Sequence, residues 1–374
     1  MKSQAAVAFG PNDLRFVEVD VADPKEGEVR IKIAYTSLCH TDIYTLSGDD
    51  PSAIFPCILG HEATGIVEKV GPGVTSVQEG DHVIPLWKPE CGECEYCERG
   101  LNFCNAISDT QSQGLMPDGT TRFSYEGEPI YHFMGTSTFS EYTVLPEIAL
   151  AKIAKDVPLD EACLLGCGVT TGLGAVRNDA NVQEGCTAAV FGIGTLGLAA
   201  IQELVRKQAK RIIAIDIDDK KEALAKQFGA TDFINSSKID RPIQEEIIDL
   251  TDGGVDDSFV CVGNTDVMNA GLECTHKGWG QSVIMGVAAG QEKIKTRPFQ
   301  LITGRTWLGS SFGGVTGQTG LKALIDDYMA GDIDLKPFIS HRLDFKDLKQ
   351  AMDWQEAGES LRDILSFDDG KGGQ

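Results

Sequence analysis

Hydrophobic and polar positions change their rhythm along the chain. In the first third they alternate: Val29, Ile31 and Ile33 are separated by Arg30 and Lys32, the period-two pattern of a strand with one buried face. Thr64 to Val70 and Asp81 to Ile84 give two more short strands, punctuated by Gly71-Pro72-Gly73 and Pro85. Near residue 168 apolar strands begin to alternate with helical segments. Strands are predicted at Cys186 to Phe191, Arg211 to Asp216, Asp232 to Asn235, Asp257 to Cys261, Gln281 to Gly286 and Thr306 to Ser310. Helices are predicted from the Gly-rich turn after Phe191 through Ala209, and from Lys220 to Phe228, where Gly229 stops the second. Six strands with helical crossovers predict an α/β doubly wound parallel sheet. After Phe312 the pattern is mixed again, and the Gly-rich end, Gly370 to Gln374, is expected to fray.

Composition narrows this picture. The 374 residues fit two domains at roughly 100–200 residues each. A net charge of −23 argues against nucleic acid and anionic membrane as partners, because both need a basic face. No apolar run approaches the roughly 18 residues of a membrane span, and Met1-Lys2-Ser3-Gln4 lacks the core of a signal peptide, so a cytoplasmic location is expected. There the eleven cysteines point to metal or catalysis rather than disulfides.

Cys91, Cys94 and Cys97 are spaced Cys-x2-Cys-x2-Cys, and Cys104 follows in the same loop. Four thiolates on a short segment can close a tetrahedron around zinc, and a closed site is structural. Free cysteines prefer buried places, yet Glu90, Glu93, Glu95, Glu98 and Arg99 make this segment polar. An iron–sulfur cluster is the competing occupant.

Phe191 ends an apolar strand, and Gly192-Ile193-Gly194-Thr195-Leu196-Gly197 follows directly. Alone this pattern is weak. Between a strand and a helix it lets the backbone approach a pyrophosphate at a helix N-terminus. Asp216 closes the next strand, 24 positions beyond Gly192 and near the roughly 20 of the dinucleotide fingerprint. It is expected to accept from the adenosine ribose hydroxyls and repel a 2′-phosphate, favouring NAD over NADP.

Three more residues have motif neighbours: Cys39 in Cys39-His40-Thr41-Asp42, His61 in Gly60-His61-Glu62, and Cys167 in Gly166-Cys167-Gly168. Singly, each reads as a core cysteine or a structural histidine, and spacing alone cannot join them. Together with Gly114-Leu115-Met116-Pro117-Asp118-Gly119-Thr120, Gly135-Thr136-Ser137-Thr138-Phe139-Ser140-Glu141-Tyr142 and Thr296-Arg297-Pro298-Phe299-Gln300-Leu301, they resemble the zinc-containing medium-chain alcohol dehydrogenases. The resemblance is to class III, the S-(hydroxymethyl)glutathione dehydrogenases, and covers nearly the whole chain.

The resemblance implies a mostly β GroES-like catalytic domain in two pieces, 1–168 and 312–374, with a Rossmann NAD-binding domain at 169–311 between them in sequence. It implies two zinc ions per subunit, with Cys39, His61 and Cys167 holding the catalytic one, and homodimers built through the coenzyme domains. It gives Thr41 the alcohol oxygen, makes Asp42 the partner that orients a ligand histidine, and lets Glu62 modulate the metal. His40 and Arg362 would approach the pyrophosphate, Thr171 and the backbone at Val287 and Phe312 the nicotinamide, and Lys221 the ribose. Asp50, Gln111 and Lys277 would touch glutathione. The same chemistry would extend to reduction of S-nitrosoglutathione.

The chain departs from the family at four places. Ser52 follows Gly48-Asp49-Asp50-Pro51 where members carry Glu. Ser108 stands where they carry an Arg that attracts a glutathione carboxylate, a contact worth about 1.5–3 kcal/mol. The four-cysteine loop is one residue shorter. Tyr44 replaces the relay His of liver-type relatives, and a phenol is a poor base at neutrality. The alternative is therefore a dehydrogenase for medium-chain or aromatic primary alcohols without glutathione. A zinc-free enone reductase would lack the Cys39, His61 and Cys167 set, and a non-catalytic zinc protein would not need the dinucleotide turn.

Overall fold

Residues 1–367 are described in the computed structural model. The expected fraying of Gly370 to Gln374 lies outside the described residues. The chain forms two compact units, one of Met1–Cys167 with the segment from Thr316 onward, the other Gly168–Val315. The sequence placed the joints at 168/169 and 311/312. The later joint at 315/316 reflects local packing: the turn Phe312–Gly314 folds against the segment Gly168–Asp179, and the Asn178 side chain donates to the Gly313 carbonyl at 2.9 Å.

In the first unit the alternating stretches form two β systems. Strands Lys2–Gly10, Asp13–Val21, Phe123–Tyr125, Glu128–His132 and Cys57–Ile58 close into a barrel. A seven-stranded sheet is centred on Glu28–Ser37, which pairs with Glu62–Val70 on one side and Arg362–Ser366 on the other. That last pairing carries the C-terminal segment onto the first unit. Val29, Ile31 and Ile33 are buried against Ala63, Val67, Val83 and Leu145. Each such aliphatic side chain contributes about 1.5–3 kcal/mol by leaving water.

Arg122 and Glu28 link the barrel to this sheet. Both are almost completely buried. Arg122 Nε donates to Glu28 Oε2 at 2.7 Å, and Nη2 donates to Oε1 in the same bidentate pair. The Arg122 backbone N–H donates to His132 Nε2 at 3.2 Å, fixing that ring on the neighbouring strand.

In the second unit six parallel strands run in the order Asp232–Asn235, Arg211–Asp216, Thr187–Phe191, Asp257–Val260, Gln281–Ile284, Thr306–Gly309. This is the doubly wound dinucleotide order. Its core holds Ala189, Phe191, Ile213, Ile215 and Val260. The strands match their predicted positions within two residues. The helix after the glycine turn, Thr195–Arg206, stops short of Ala209 because Gln208 adopts a left-handed φ of 57°. The helix Lys221–Gln227 ends before Gly229, whose φ of 109° only glycine tolerates readily.

Removing one partner of a buried ion pair strands the other charge. Arg122→Met should therefore destabilise the protein by about 3–5 kcal/mol. Glu28→Met/Arg122→Met should recover much of that loss, read as the urea unfolding midpoint. A double variant no more stable than the single one would contradict the assignment.

Candidate functional site

The helix His40–Ser47 starts at Cys39, which acts as its N-cap. Asp42 stands three positions later, so its carboxylate reaches back and accepts from the Cys39 N–H at 3.1 Å. Its other oxygen accepts from the Gly60 N–H at 2.9 Å and faces His61 Nδ1 at 3.1 Å. Asp42 is fully buried. One carboxylate thus joins the loop bearing Cys39 to the loop bearing His61. Cys167 follows the 3-10 turn Cys163–Gly166, where Gly166 packs so closely on Glu62 that a Cβ would come within 2.9 Å of the Glu62 Cα.

These placements gather Cys39, His61, Glu62 and Cys167, with ligand atoms within 4.8 Å of one another. The donor set fits zinc. Among the described residues His61 Nε2 is buried without a hydrogen-bond partner, while Asp42 fixes the opposite ring nitrogen. The Cys39 thiol is held well below the usual thiol range, first by a hydrogen bond with Cys167 and then, against burial, by the Arg362 and His61 charges. Cys167 is pushed up by the same contact and by burial. Burial acts most strongly on His61 and downward, but the charges of Asp42 and Cys39 lift it. A dication between the two sulfurs and the imidazole would replace the protons they share.

Arg362 is buried here too. It donates to Glu62 through Nε at 3.0 Å and Nη2 at 3.2 Å, and its Nη2 lies 3.6 Å from Cys39 Sγ. Its charge, expected at a pyrophosphate, is therefore directed at Glu62 and Cys39. Thr41 Oγ1 lies 3.7 Å from Cys39 Sγ. His40 is exposed on the first turn of the same helix.

Cys91, Cys94, Cys97 and Cys104 form a second cluster, again with ligand atoms within 4.8 Å of one another. Backbone N–H groups of Glu93 and Cys94 point at Cys91 Sγ at 3.5 and 3.3 Å, the arrangement that stabilises a thiolate. No position is left open for a reactant, so this site is structural. All eleven cysteines are free of disulfides.

In the second unit the strand Thr187–Phe191 runs into Gly192 with φ of 91°. A Cβ on Gly197 would lie 2.1 Å from the Gly192 carbonyl oxygen, so the turn closes only with glycine there. The helix Thr195–Arg206 begins at Gly194 without a side-chain cap, the geometry of an anion-binding helix start. Asp216 accepts from the Ile193 N–H at 2.7 Å and from the Ile217 and Asp218 N–H groups at 2.7 and 3.1 Å. The Asp216 carboxylate is thereby tied to the glycine turn carrying Leu196. Lys221 opens the next helix. Thr171 and Phe312 are buried, whereas Val287 is 69% exposed.

A cavity of about 460 Å³ in the first unit is lined by Thr41, Cys57 and Phe133 beside the first cluster and by Asn102, Phe103 and Ser108 beside the second. The Phe133 ring meets His61 edge-on, with centroids 5.8 Å apart. Asp50 and Gln111 also line it, while Lys277 lies on an exposed turn of the second unit. Gln111 Nε2 donates to the Trp87 and Met134 carbonyls at 3.0 and 2.8 Å, which leaves its amide oxygen as the group able to face a ligand. Lys88 and His132 line this cavity as well. Neither is recognisable from sequence, since a single lysine in a polar loop and a single histidine in a strand have no pattern. Burial and the nearby Arg122 push His132 down to about 3, so it is neutral. With Nε2 accepting from Arg122, its proton sits on Nδ1, which has no partner.

Residues 25–155 match the alcohol dehydrogenase GroES-like domain, and residues 195–327 match the zinc-binding dehydrogenase family. The chain is 56% identical, over 98% of its length and 100% of theirs, to S-(hydroxymethyl)glutathione dehydrogenases of Escherichia coli strains. This chain belongs to the zinc-dependent medium-chain alcohol dehydrogenases, class III. Among solved structures, a zinc-binding alcohol dehydrogenase protein from Burkholderia ambifaria superposes with a TM-score of 0.91 at 30% identity, covering 98% of this chain and 99% of that one. Benzyl alcohol dehydrogenase from Acinetobacter calcoaceticus gives 0.90 at 29% identity, with the same coverage.

Two of the departures from the family pattern, Ser52 and Ser108, fall in the cavity wall of this dehydrogenase. Ser52 Oγ donates to Asp50 Oδ1 at 2.6 Å, so the serine supports a carboxylate rather than adding one. Ser108 Oγ is turned to the Asn105 carbonyl at 3.3 Å and brings no charge. Tyr44 donates its hydroxyl to the Asp49 carbonyl at 2.9 Å, which removes it from proton transfer.

Purified dehydrogenase should contain two zinc ions per chain by mass spectrometry. His61→Ala should contain one and lose turnover. Asp42→Asn should weaken binding of the catalytic ion roughly 10–100-fold in chelator competition, with the circular dichroism unchanged. Unaltered zinc affinity in that variant would exclude the bridging role of Asp42.

Proposed function

We propose that this dehydrogenase oxidises S-(hydroxymethyl)glutathione to S-formylglutathione with NAD as hydride acceptor. The supporting observation is full-length 56% identity to enzymes of that name, combined with a chain that retains both metal-ligand clusters and Asp216. When bound, zinc supplies a Lewis acid that lowers the pKa of an alcohol hydroxyl. NAD, when bound, supplies the hydride acceptor.

The chain's own residues do the rest. Cys39, His61 and Cys167 would hold the catalytic zinc, and Cys91, Cys94, Cys97 and Cys104 the structural one. Thr41 Oγ1, in the cavity wall next to Cys39, accepts the hydroxyl proton and passes it toward His40 on the exposed first turn. Phe133 and Cys57 keep water from the reacting carbon. Asp50 and the Gln111 oxygen receive the ammonium and amide N–H groups of the peptide.

A second reading is supported by Ser52 and Ser108, which leave the cavity with less charge than the family pattern: oxidation of medium-chain or aromatic primary alcohols. NADH formation from formaldehyde with and without glutathione, against 1-octanol, separates the two. The glutathione reading expects formaldehyde turnover only when glutathione is present, with kcat/KM well above that for octanol. Octanol oxidation that exceeds it, with no response to glutathione, would favour the second reading.

Asp216→Ser should narrow the preference for NAD over NADP by about tenfold or more, since an ionic repulsion of the 2′-phosphate is removed. An unchanged ratio of kcat/KM would refute the role of Asp216.

We also assign a homodimer through the second unit. Thr306–Gly309 is an edge strand, and Phe299, Leu301 and Ile302 beside it are exposed. Ile302→Glu should shift the enzyme toward monomer in sedimentation, and a monomeric native enzyme would overturn the assignment. The free thiols suit a reducing compartment, the cytoplasm.

A further inference from the structure

The cavity has a charge that neither the metal sites nor the substrate reading has used. Lys88 lines it beside the four-cysteine lobe, half-buried between two aromatic rings. Its Nζ lies 5.1 Å from the Trp87 ring centroid and 4.5 Å from that of Phe103. Ring faces hold a cation in place without neutralising it. Among the described residues no carboxylate stands within ion-pair distance of this nitrogen. Burial lowers the Lys88 pKa from the usual lysine value, as expected for a charge losing solvent without gaining a counter-ion. The other charged side chain in the wall, Asp50, is directed to Thr45 Oγ1 at 2.9 Å and to the Ser52 N–H and Oγ at 2.9 and 2.6 Å.

We infer that Lys88 recognises a carboxylate on the tail of the substrate. The geometry sets the polarity of binding. Thr41 and Phe133 stand against Cys39 and His61, where the alcohol carbon must react, and Lys88 packs on Phe103, next to Cys104 of the four-cysteine lobe. A substrate reaching Lys88 is therefore an alcohol with an anionic group several bonds from its hydroxyl. In a chain of net charge −23, a local cation is what lets an anion enter at all. Ser108, in the same cavity wall, supplies no charge, so Lys88 takes that part. The inference deepens the glutathione reading and rests on it for the identity of the tail, though not for the tail's charge.

The competing explanation is that the lysine stem merely packs on Trp87. Lys88→Met keeps an apolar stem and removes the charge, and Lys88→Arg restores a cation. The zinc-loaded full-length enzyme would be assayed with formaldehyde plus glutathione, with 12-hydroxydodecanoate, and with the uncharged 1-octanol. Lys88→Met is expected to raise KM for both carboxylate-bearing substrates about tenfold or more, leaving their kcat and all octanol parameters unchanged. Lys88→Arg is expected to restore the wild-type KM. An unchanged KM for 12-hydroxydodecanoate in Lys88→Met, or an equal loss with octanol, would overturn the inference. If the wild type ignored glutathione, the substrate reading would fail alone, because 12-hydroxydodecanoate against octanol still tests Lys88.

Discussion

One buried carboxylate organises the reactive half of this molecule. Asp42 accepts from the Cys39 and Gly60 backbones and faces His61, so two loops that are distant in sequence become one rigid mount. A carboxylate with no solvent is stable only when its oxygens are fully used, as they are here. The same contact selects which imidazole nitrogen carries the proton and leaves Nε2 as a lone pair aimed at the cysteines. Arg362 completes the balance of charge, since the Cys39 thiolate and the Glu62 and Asp42 carboxylates would not remain together without a guanidinium or a metal.

What could be read from sequence tracks how local the physics is. The strands of the nucleotide unit were legible because a parallel strand buried on both faces is a short apolar run between turn residues, as in Arg211–Asp216. The four-cysteine lobe was legible because its ligands fall within one loop. Cys39, His61 and Cys167 were legible only as family resemblance, because the barrel and the central sheet bring them together and no spacing encodes that. The first barrel strand carries no such pattern: Lys2–Gly10 runs Ala5-Ala6-Val7-Ala8 without alternation and is buried on both faces over that stretch. Arg362–Ser366 is no more legible, because its pairing partner lies more than 300 residues earlier.

The substrate cavity was the least legible part. Asp50 and Gln111 came from the family pattern, and the structure supplies their orientation: Asp50 braced by Ser52, Gln111 anchored through its nitrogen. Lys88 and His132 gain meaning only from what surrounds them. A lysine between two rings and a neutral histidine held by the Arg122 backbone owe their properties to desolvation, which a one-dimensional reading cannot measure. The first metal-ligand cluster thus depends on side chains that share a buried loop junction.

A second zinc ion, besides the one in the four-thiolate lobe, should be held by two sulfurs and one imidazole. Zinc-edge X-ray absorption of the purified enzyme tests it directly. Sulfur neighbours at about 2.3 Å together with a nitrogen contribution near 2.0–2.1 Å are expected. A spectrum fitted by four sulfurs alone, with one ion per chain in an active preparation, would contradict it.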